Sequence, residues 1–435
     1  MKKRIKQVFL VVTLVSIMLN LMGCSNSDKI DGQQTDGPVT LKMVWWGGDQ
    51  RKDLTLQAIQ LFEQKYPNIK IETEAFSNSS GLRIDLAMKT ADEAMPDIIQ
   101  MNHDFFHSYS QRRLLEPFDP YIEKNIIDLS DVAPSYLESG IRDGKLYGIP
   151  AGINAYALMV NPEIFQRAGV EIPNKSYTYD ELYQIAKTLK AQINEDGFYP
   201  LANFFDFNSY VRNTGSTQFN EDGTALGYEN DQVFVDYFNL EKKWLEEGLL
   251  APSEVTSGRG EKDSLMVLGQ AALATIQSNN VARTSQYAGK TLQMIGAPAA
   301  SPGKEGSFVK PSMYFSVSSY SPHKKEAMQF IDFITNDIEA NNILMGERGV
   351  PVSSKVSDAV KQKLSVAEKQ QYEYMEYLKA NPSPIDPPSP QFLGGANSLF
   401  SRLSSQIKSG QMTPEEAASH FRTEANKILS GIKGE

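Results

Sequence analysis

The stretch 143–161, DGKLYGIPAGINAYALMVN, constrains the fold more than any other part of this 435-residue chain. Asp143-Gly144 is a turn signal, residues 145–149 read as a short apolar strand, and Pro150, which brings no amide hydrogen to a ladder, closes it. After Gly152 a second apolar run, 155–160, reads as a buried strand that ends at Asn161-Pro162. Two strands in line across a Pro/Gly break fit either a hairpin within one sheet or a crossing between two lobes. Length bears on the choice, because about 400 residues is too long for one small core and suits two lobes with cores of their own.

The N-terminus carries a second strong signal. Lys2, Lys3, Arg4 and Lys6 precede an uncharged apolar run over 8–22, the layout of a bacterial secretory signal and too short for a spanning helix. The run ends in Leu21-Met22-Gly23-Cys24, which resembles the lipobox, where a signal peptidase cuts before a cysteine that is then diacylated. Cys24 is the only cysteine, so no intramolecular disulfide can form. The plainer alternative is an ordinary signal peptide with an incidental cysteine. We therefore expect a signal peptide over 1–23 and a flexible tether over 24–38, which is rich in Ser, Asn, Asp, Gly and Gln and has almost nothing to bury. Cleavage before Cys24 removes four cations and no anion, taking the formal charge from -10 to -14. Such a balance argues against nucleic acid as a partner, and beyond the leader no apolar run is long enough to cross a membrane.

Within the folded part, residues 40–46 read as a strand ending at Gly47-Gly48-Asp49; a helix with Leu54, Ala58, Leu61 and Phe62 on one face follows, then a strand over 69–72. In such a β-α-β unit ligands meet the carboxyl ends of the strands, which nominates Trp45, Trp46 and Asp49. Gly47-Gly48 lacks the Gly-Lys-Ser/Thr or G-x-G-x-x-G that a nucleotide site needs. His103 and His107 stand four apart and suit a shared helix face as metal ligands, but no H-E-x-x-H accompanies them, and a solvated or core-edge pair is the plainer reading. Asn194-Glu195-Asp196-Gly197 and Asn220-Glu221-Asp222-Gly223 lack the alternating oxygen ligands of a calcium loop and read as turns. No metal and no cofactor is expected. Capping boxes at Thr178/Glu181 and Thr413/Glu416 open two further helices.

The 143–161 stretch resembles the "DGKLYGIP…YN" signature of extracellular solute-binding proteins of family 1, the carbohydrate-binding subunits of ABC importers, with Val160-Asn161 where the family has Tyr-Asn. Further motifs occur in the family's order: WWGGDQR with FEQKYPNIKIE, Pro96-Asp97-Ile98, Thr178-Tyr179-Asp180-Glu181-Leu182 for TWDEL, and 267–273 for the GkaAm segment. The region 310–355, with WWGG and PDIIQM, is similar to binding proteins associated with rhamnogalacturonan (pectin) degradation in Bacillus-like bacteria. The resemblance implies an α/β, two-lobed periplasmic-binding-protein-like fold, each lobe a mixed sheet flanked by helices, joined by a multi-crossing hinge. The N-terminal lobe would be 39–151 plus 310–351 and the C-terminal lobe 152–309 plus 352–435. Crossings are expected near 151–154, 308–312 and 351–353.

It implies an oligosaccharide ligand held in the interlobe cleft, permease transmembrane subunits as partners, a lipid-anchored monomer on the outer face of the cell membrane, and no enzymatic activity. On the first lobe the expected ligand-facing residues are Trp45, Trp46, Asp49, Arg51, Asn102, Asp104, Phe105 and Tyr314. On the other side they are Asn154, Phe207, Tyr210, Gln277, Asn279 and Phe392. Aromatic rings cover the CH faces of sugars, and planar amides and carboxylates bind their hydroxyls. Arg51 or Arg83 would pair with a galacturonate carboxylate. A surface glycoside hydrolase is the competing class, since the 53 acidic residues leave room for the two carboxylates it needs. A polysaccharide adhesin is the third.

Two acyl chains anchor stably where one does not, so a diacylated Cys24 is expected to hold the protein in the membrane fraction. Cys24→Ala should release the protein or stall its processing, and full retention with normal cleavage refutes the assignment.

Overall fold

The protein is described by a computed structural model covering residues 37–173, 176–301, 306–380, 383, 386, 390 and 392–431, without the side chain of Asp104. Cys24, the leader and nearly all of the tether lie outside these residues.

β1 (Val39–Trp46), α1 (Asp49–Lys65) and β2 (Ile69–Phe76) form the expected β-α-β unit, with β1 and β2 parallel from Val39 opposite Ile69 to Trp46 opposite Phe76. α2 (Ser79–Ala91) leads to β3 (Ile98–Met101), parallel to β1 on its other side, and α3 (His103–Gln111) follows directly. The chain returns at β4 (Ile149–Asn154) and, after Ala155 alone, leaves as β5 (Tyr156–Val160). β5 belongs to a second sheet with β6 (Tyr199–Leu201), β7 (Ala271–Gln277) and β8 (Gln293–Ile295), in the order β8-β5-β7-β6. β9 (Lys310–Val317) then re-enters the first sheet between β3 and β4, antiparallel to both, giving β2-β1-β3-β9-β4.

The in-line strands are therefore a crossing between sheets and no hairpin. Pro150 does not end the first of them, because β4 is an edge strand and an edge tolerates a residue without an amide hydrogen. The strand starts later than its sequence suggests, at Ile149, and runs on through the Pro/Gly break to Asn154.

Alternation along β1 builds the first lobe. Val39, Leu41, Met43 and Trp45 face a core shared with Ala58, Ile59 and Phe62 of α1 and with Phe330 and Ile331 of α8 (Lys324–Asn336). Val44 faces the opposite layer, with Leu82 and Leu86 of α2 and Phe105 and Phe106 of α3. In the second lobe, Leu158, Val160 and Leu273 pack on Leu182, Ala186 and Leu189 of α4 (Tyr179–Gln192), whose capping box at Thr178 and Glu181 is formed. A helical layer made by α6 (Gln232–Glu246), α11 (Leu393–Lys408) and α12 (Pro414–Leu429) completes it around Phe234, Phe238, Leu403 and Phe421. That layer also takes in α5 (Phe207–Asn213). The Thr413/Glu416 box caps α12 as its sequence implies.

The C-terminal part divides differently from its sequence reading. The loop 346–350 does not cross: Val350 and Ile153 exchange two backbone hydrogen bonds of 2.8 Å, docking the loop on β4. Gly349 permits this approach, since at φ 118° a Cβ there would lie 2.6 Å from the Ile153 carbonyl oxygen. Val352, then Val356 and Val360 of α9 (Ser354–Lys361), and Tyr372, Met375 and Leu378 of α10 (Val366–Ala380) all join the core around β1 and α8. The expected third crossing at 351–353 thus gives way to one after α9, because α10 also packs on the second lobe: Gln370 bonds to Leu292 and to Met294 of β8, and the Tyr374 hydroxyl donates to the Tyr156 carbonyl.

A buried ionic cluster fastens this joint. Glu347 accepts from Arg51 Nε at 2.7 Å, and Arg348 Nη1 stands 3.9 Å from the same carboxylate oxygen. From the second lobe, Arg283 of α7 (Val281–Ala288) comes within 4.0 Å of the other oxygen, and Asn279 Nδ2 donates to the Glu347 carbonyl at 3.2 Å. Arg348 donates onward to Gln100 (2.8 Å) and Thr55 (2.8 Å). Burial raises the Glu347 carboxyl's pKa, but Arg51, Arg348 and Arg283 outweigh it and hold the group below its ordinary 4.5. Burial, followed by Arg51, brings Arg348 down to about 9.

Because the folded-state value of Glu347 is depressed, the unfolded chain takes up the proton more readily. The carboxylate's contribution to stability is fully present above about pH 4.5 and is lost as pH falls through the lower folded value. Glu347→Gln should cost roughly 3–5 kcal/mol at neutral pH, because it strands buried arginines, and should flatten the acid limb of a denaturant-stability profile. An unchanged acid limb refutes the role.

Candidate ligand cleft between the lobes

The crossings bring one end of each sheet to a shared cleft of about 900 Å³. From the first lobe come Trp46 at the end of β1, Asn102 at the end of β3, His103 and His107 on α3, and Glu138, Ser139, Ile141 and Arg142 from the turn before β4. From the joint and the second lobe come Asn154, Tyr156, Gln277, Asn279, Asn280 and Phe308, then Lys310, Ser312 and Met313 of β9, and Asp386.

Strand periodicity separates the two tryptophans. Trp45 points to the α1 side and is 1% exposed, a core residue; Trp46 points to the α2 and α3 side, partly exposed in the cleft wall. Its ring meets Phe105 edge-on at 6.5 Å and 62°. Its carbonyl accepts from both Arg51 Nη1 (3.1 Å) and Gln100 Nε2 (3.2 Å), which fixes the end of β1. Asn102 is fixed as the N-cap of α3, accepting from the Phe105 amide at 3.0 Å.

Amides make the opposing wall. Asn154 donates to Asn279 at 3.4 Å, while Asn154 Oδ1 and Gln277 Oε1 are buried acceptors with no donor among the described residues. Such acceptors are able to take a hydrogen bond from water or from a ligand's hydroxyl. Burial pushes the Tyr156 hydroxyl up to about 12, so the ring is neutral, and Lys310 Nζ lies 3.9 Å over its centroid.

The rings of His103 and His107 stack at 5.3 Å and 26°. Burial, then His103 and Arg142, lower His107 to about 4, so it is neutral at pH 7. Among the described residues no group of three or more His, Cys, Asp or Glu is placed to hold a metal ion. His107 and Arg142 also border a second cavity of about 790 Å³, lined by Arg83, Phe105, Tyr109, Arg112 and Phe392, which extends the cleft.

Of the residues nominated from sequence, Trp46, Asn102, Asn154, Gln277 and Asn279 line the cleft, and Phe105, Phe392 and Arg83 line its extension. Arg51 reaches the wall, but its guanidinium is bound to Glu347, so it is no free carboxylate partner. Tyr314 is fully buried and stacks on Phe106 at 4.4 Å. Phe207 sits in the helical core against Phe234 (5.5 Å) and Tyr237 (5.2 Å). Tyr210 borders a different cavity, beside Tyr179, Asp236 and Lys243. Asp49 is exposed in the first turn of α1 and is not among the lining residues; the Asp104 side chain is outside the described atoms. Unforeseen were Arg142, Tyr156, Phe308 and Lys310, although the last three lie within stretches already read as crossings and Arg142 immediately precedes the Asp143-Gly144 turn.

Comparison with known proteins agrees with this architecture. The sequence model of a family described as bacterial extracellular solute-binding protein matches residues 48–340. An extracellular solute-binding protein family 1 structure from Alicyclobacillus acidocaldarius is 28% identical with a TM-score of 0.71, covering 91% of this chain and 100% of that one. A periplasmic oligogalacturonide binding protein from Yersinia enterocolitica, solved with saturated digalacturonic acid, is 23% identical with a TM-score of 0.77 and covers 91% and 100%. An uncharacterized ABC transporter extracellular-binding protein of Pyrococcus horikoshii is 26% identical over 215 residues, 46% of either chain. The chain spans about half the length of curated relatives it matches, 46% and 60% for two of them.

The adjacent tryptophans give a direct check on the wall. Trp45→Ala should cost about 3–5 kcal/mol of folding stability, as a core ring does, and Trp46→Ala markedly less. Equal losses in chemical denaturation refute the assignment of the two faces.

Proposed function

The chain belongs to the bacterial extracellular solute-binding protein family, and from that premise we propose that it is the ligand-capturing subunit of a carbohydrate ABC importer. In this reading it binds an oligosaccharide between its lobes, a pectin fragment of the rhamnogalacturonan type, and delivers it unaltered to a membrane permease. It works as a monomer held outside the cell by a lipid on Cys24.

The observation that carries this reading is the composition of the cleft. Trp46 offers a partly exposed ring for the apolar side of a sugar, Tyr156 and Phe308 line the wall with a cation already over each ring, and Asn102, Asn154, Gln277, Asn279 and Asn280 offer paired donors and acceptors for its hydroxyls. With the second cavity continuing past Arg142, there is room for more than one sugar ring. The pectin reading draws support from the cations Lys310 and Arg142 in the wall and from the fold shared with a protein that binds digalacturonic acid. Closure would turn on the two places where the chain changes sheet next to the cleft, at Ala155 and just before Lys310.

Scattering and thermal unfolding with and without pectin oligosaccharides, followed by mass spectrometry of the recovered ligand, test this. Compaction, a raised Tm and intact ligand are expected, since a ligand at a hundred times its Kd stabilises by about 2.7 kcal/mol. Trp46→Ala should weaken binding by roughly 2–4 kcal/mol. Cleavage products would replace the receptor with a hydrolase, and binding to immobilised polymer without compaction would replace it with an adhesin. Binding of neutral oligosaccharides alone would remove the pectin assignment and leave the importer reading intact.

A further inference from the structure

We propose that Lys310 is the residue by which the cleft selects an acidic sugar, its ammonium pairing with the carboxylate of a bound uronate. The inference rests on the carbohydrate reading above and adds the place where the ligand's charge is read.

Lys310 opens β9 and stands opposite Asn154 in the ladder, so its backbone is fixed at the joint between the lobes. Its side chain turns to the cleft with Nζ over Tyr156, a contact that holds the ammonium against a ring face while leaving its hydrogens without an acceptor. Among the described residues none accepts a hydrogen bond from it and none forms an ion pair with it. Burial pulls its pKa down, while Asp206 and Asp386 pull the other way.

Those two carboxylates are already committed. Asp206 caps α5, accepting from the Ser209 amide at 2.9 Å and its hydroxyl at 2.6 Å. Asp386 accepts from Asn208 at 2.6 Å and from Arg212. The contrast with Arg51 is instructive, because that cation lines the same wall but is matched by Glu347. Lys310 is thus a largely desolvated cation facing the ligand space, an arrangement that costs stability in the empty protein and is relieved by an anion from outside. A sugar hydroxyl would accept from the ammonium, but a carboxylate forms the stronger, charge-assisted bond.

The test uses the purified chain, Lys310→Met and Lys310→Arg, titrated calorimetrically with trigalacturonate and a rhamnogalacturonan tetrasaccharide, each beside its carboxyl-reduced neutral counterpart. Lys310→Met should bind the acidic sugars roughly 10- to 100-fold more weakly, the scale of a hydrogen bond to a charged group, with a clearly smaller loss for the reduced ones, and Lys310→Arg should keep most of the affinity. The ligand-free Met variant should melt no lower than the parent. A like loss for acidic and neutral sugars, no loss for the acidic ones, or a lowered Tm without ligand each overturn the assignment. If the parent binds only the reduced sugars, the selection by Lys310 fails while the carbohydrate reading stands; if it binds no sugar, both fail.

Discussion

The buried carboxylate of Glu347 is the point on which the arrangement of this protein depends. An ionised carboxylate is tolerated away from water only with cations and hydrogen-bond donors around it, and here these come from parts of the chain that would otherwise be independent: Arg51 on α1, Arg348 next in sequence, and Arg283 from the second lobe. Arg51 and Gln100 both continue to the Trp46 carbonyl, and Arg348 to Gln100 and Thr55. The network that neutralises one charge therefore also fixes the end of β1, which carries the ring of the cleft wall. Among the described residues Arg348 Nη1 has no hydrogen-bond partner, and the small cavity beside Glu347 and Arg348, about 20 Å³, is close to the space one water requires.

The fold was legible where backbone chemistry speaks directly. Pro/Gly breaks located the crossing at β4 and β5, capping boxes located α4 and α12, and apolar periodicity found α1. What the residues could not display was edge position. Pro150 stops a central strand, but β4 lies at the margin of its sheet, and that position is set by β9, more than 150 residues later. Likewise Gly346 to Val352 carries the signals of a break without saying whether the chain crosses or docks; the close approach of Gly349 to Ile153 decides it.

The site was legible in outline and mistaken in several side chains, for a common reason. Aromatic residues serve a core and a sugar face equally well, so Trp45, Phe207 and Tyr314 carried the same signal as Trp46 until the strand parity and layer were known. For arginine the deciding fact is the partner: Arg51 lines the wall yet is matched by a residue 296 positions away. The nominated amides Gln277 and Asn279 do line the cleft, because they stand where β7 ends at a tight turn, and a polar run there has no core to enter.

The two walls of the cleft are held in different ways, and this bears on how binding couples to movement. On the first lobe, Trp46 and Asn102 are fixed by bonds within that lobe. On the other side, Asn279 is bonded to Asn154 of β4 and to the Glu347 carbonyl, so a residue of the ligand wall is itself a fastening between lobes. Arg283, four residues later, reaches the carboxylate of the same glutamate at 4.0 Å. A change in the angle between the lobes must lengthen these contacts or exchange them for others, and a ligand that engages the Asn279 amide competes with one of them. The coupling is bounded by differential affinity: ligand shifts the lobes only by as much as it prefers one arrangement over the other. In the proposed function, the strength of capture would therefore be set jointly by the sugar contacts and by the Asn279 and Arg283 contacts to Glu347 that a movement of the lobes would give up.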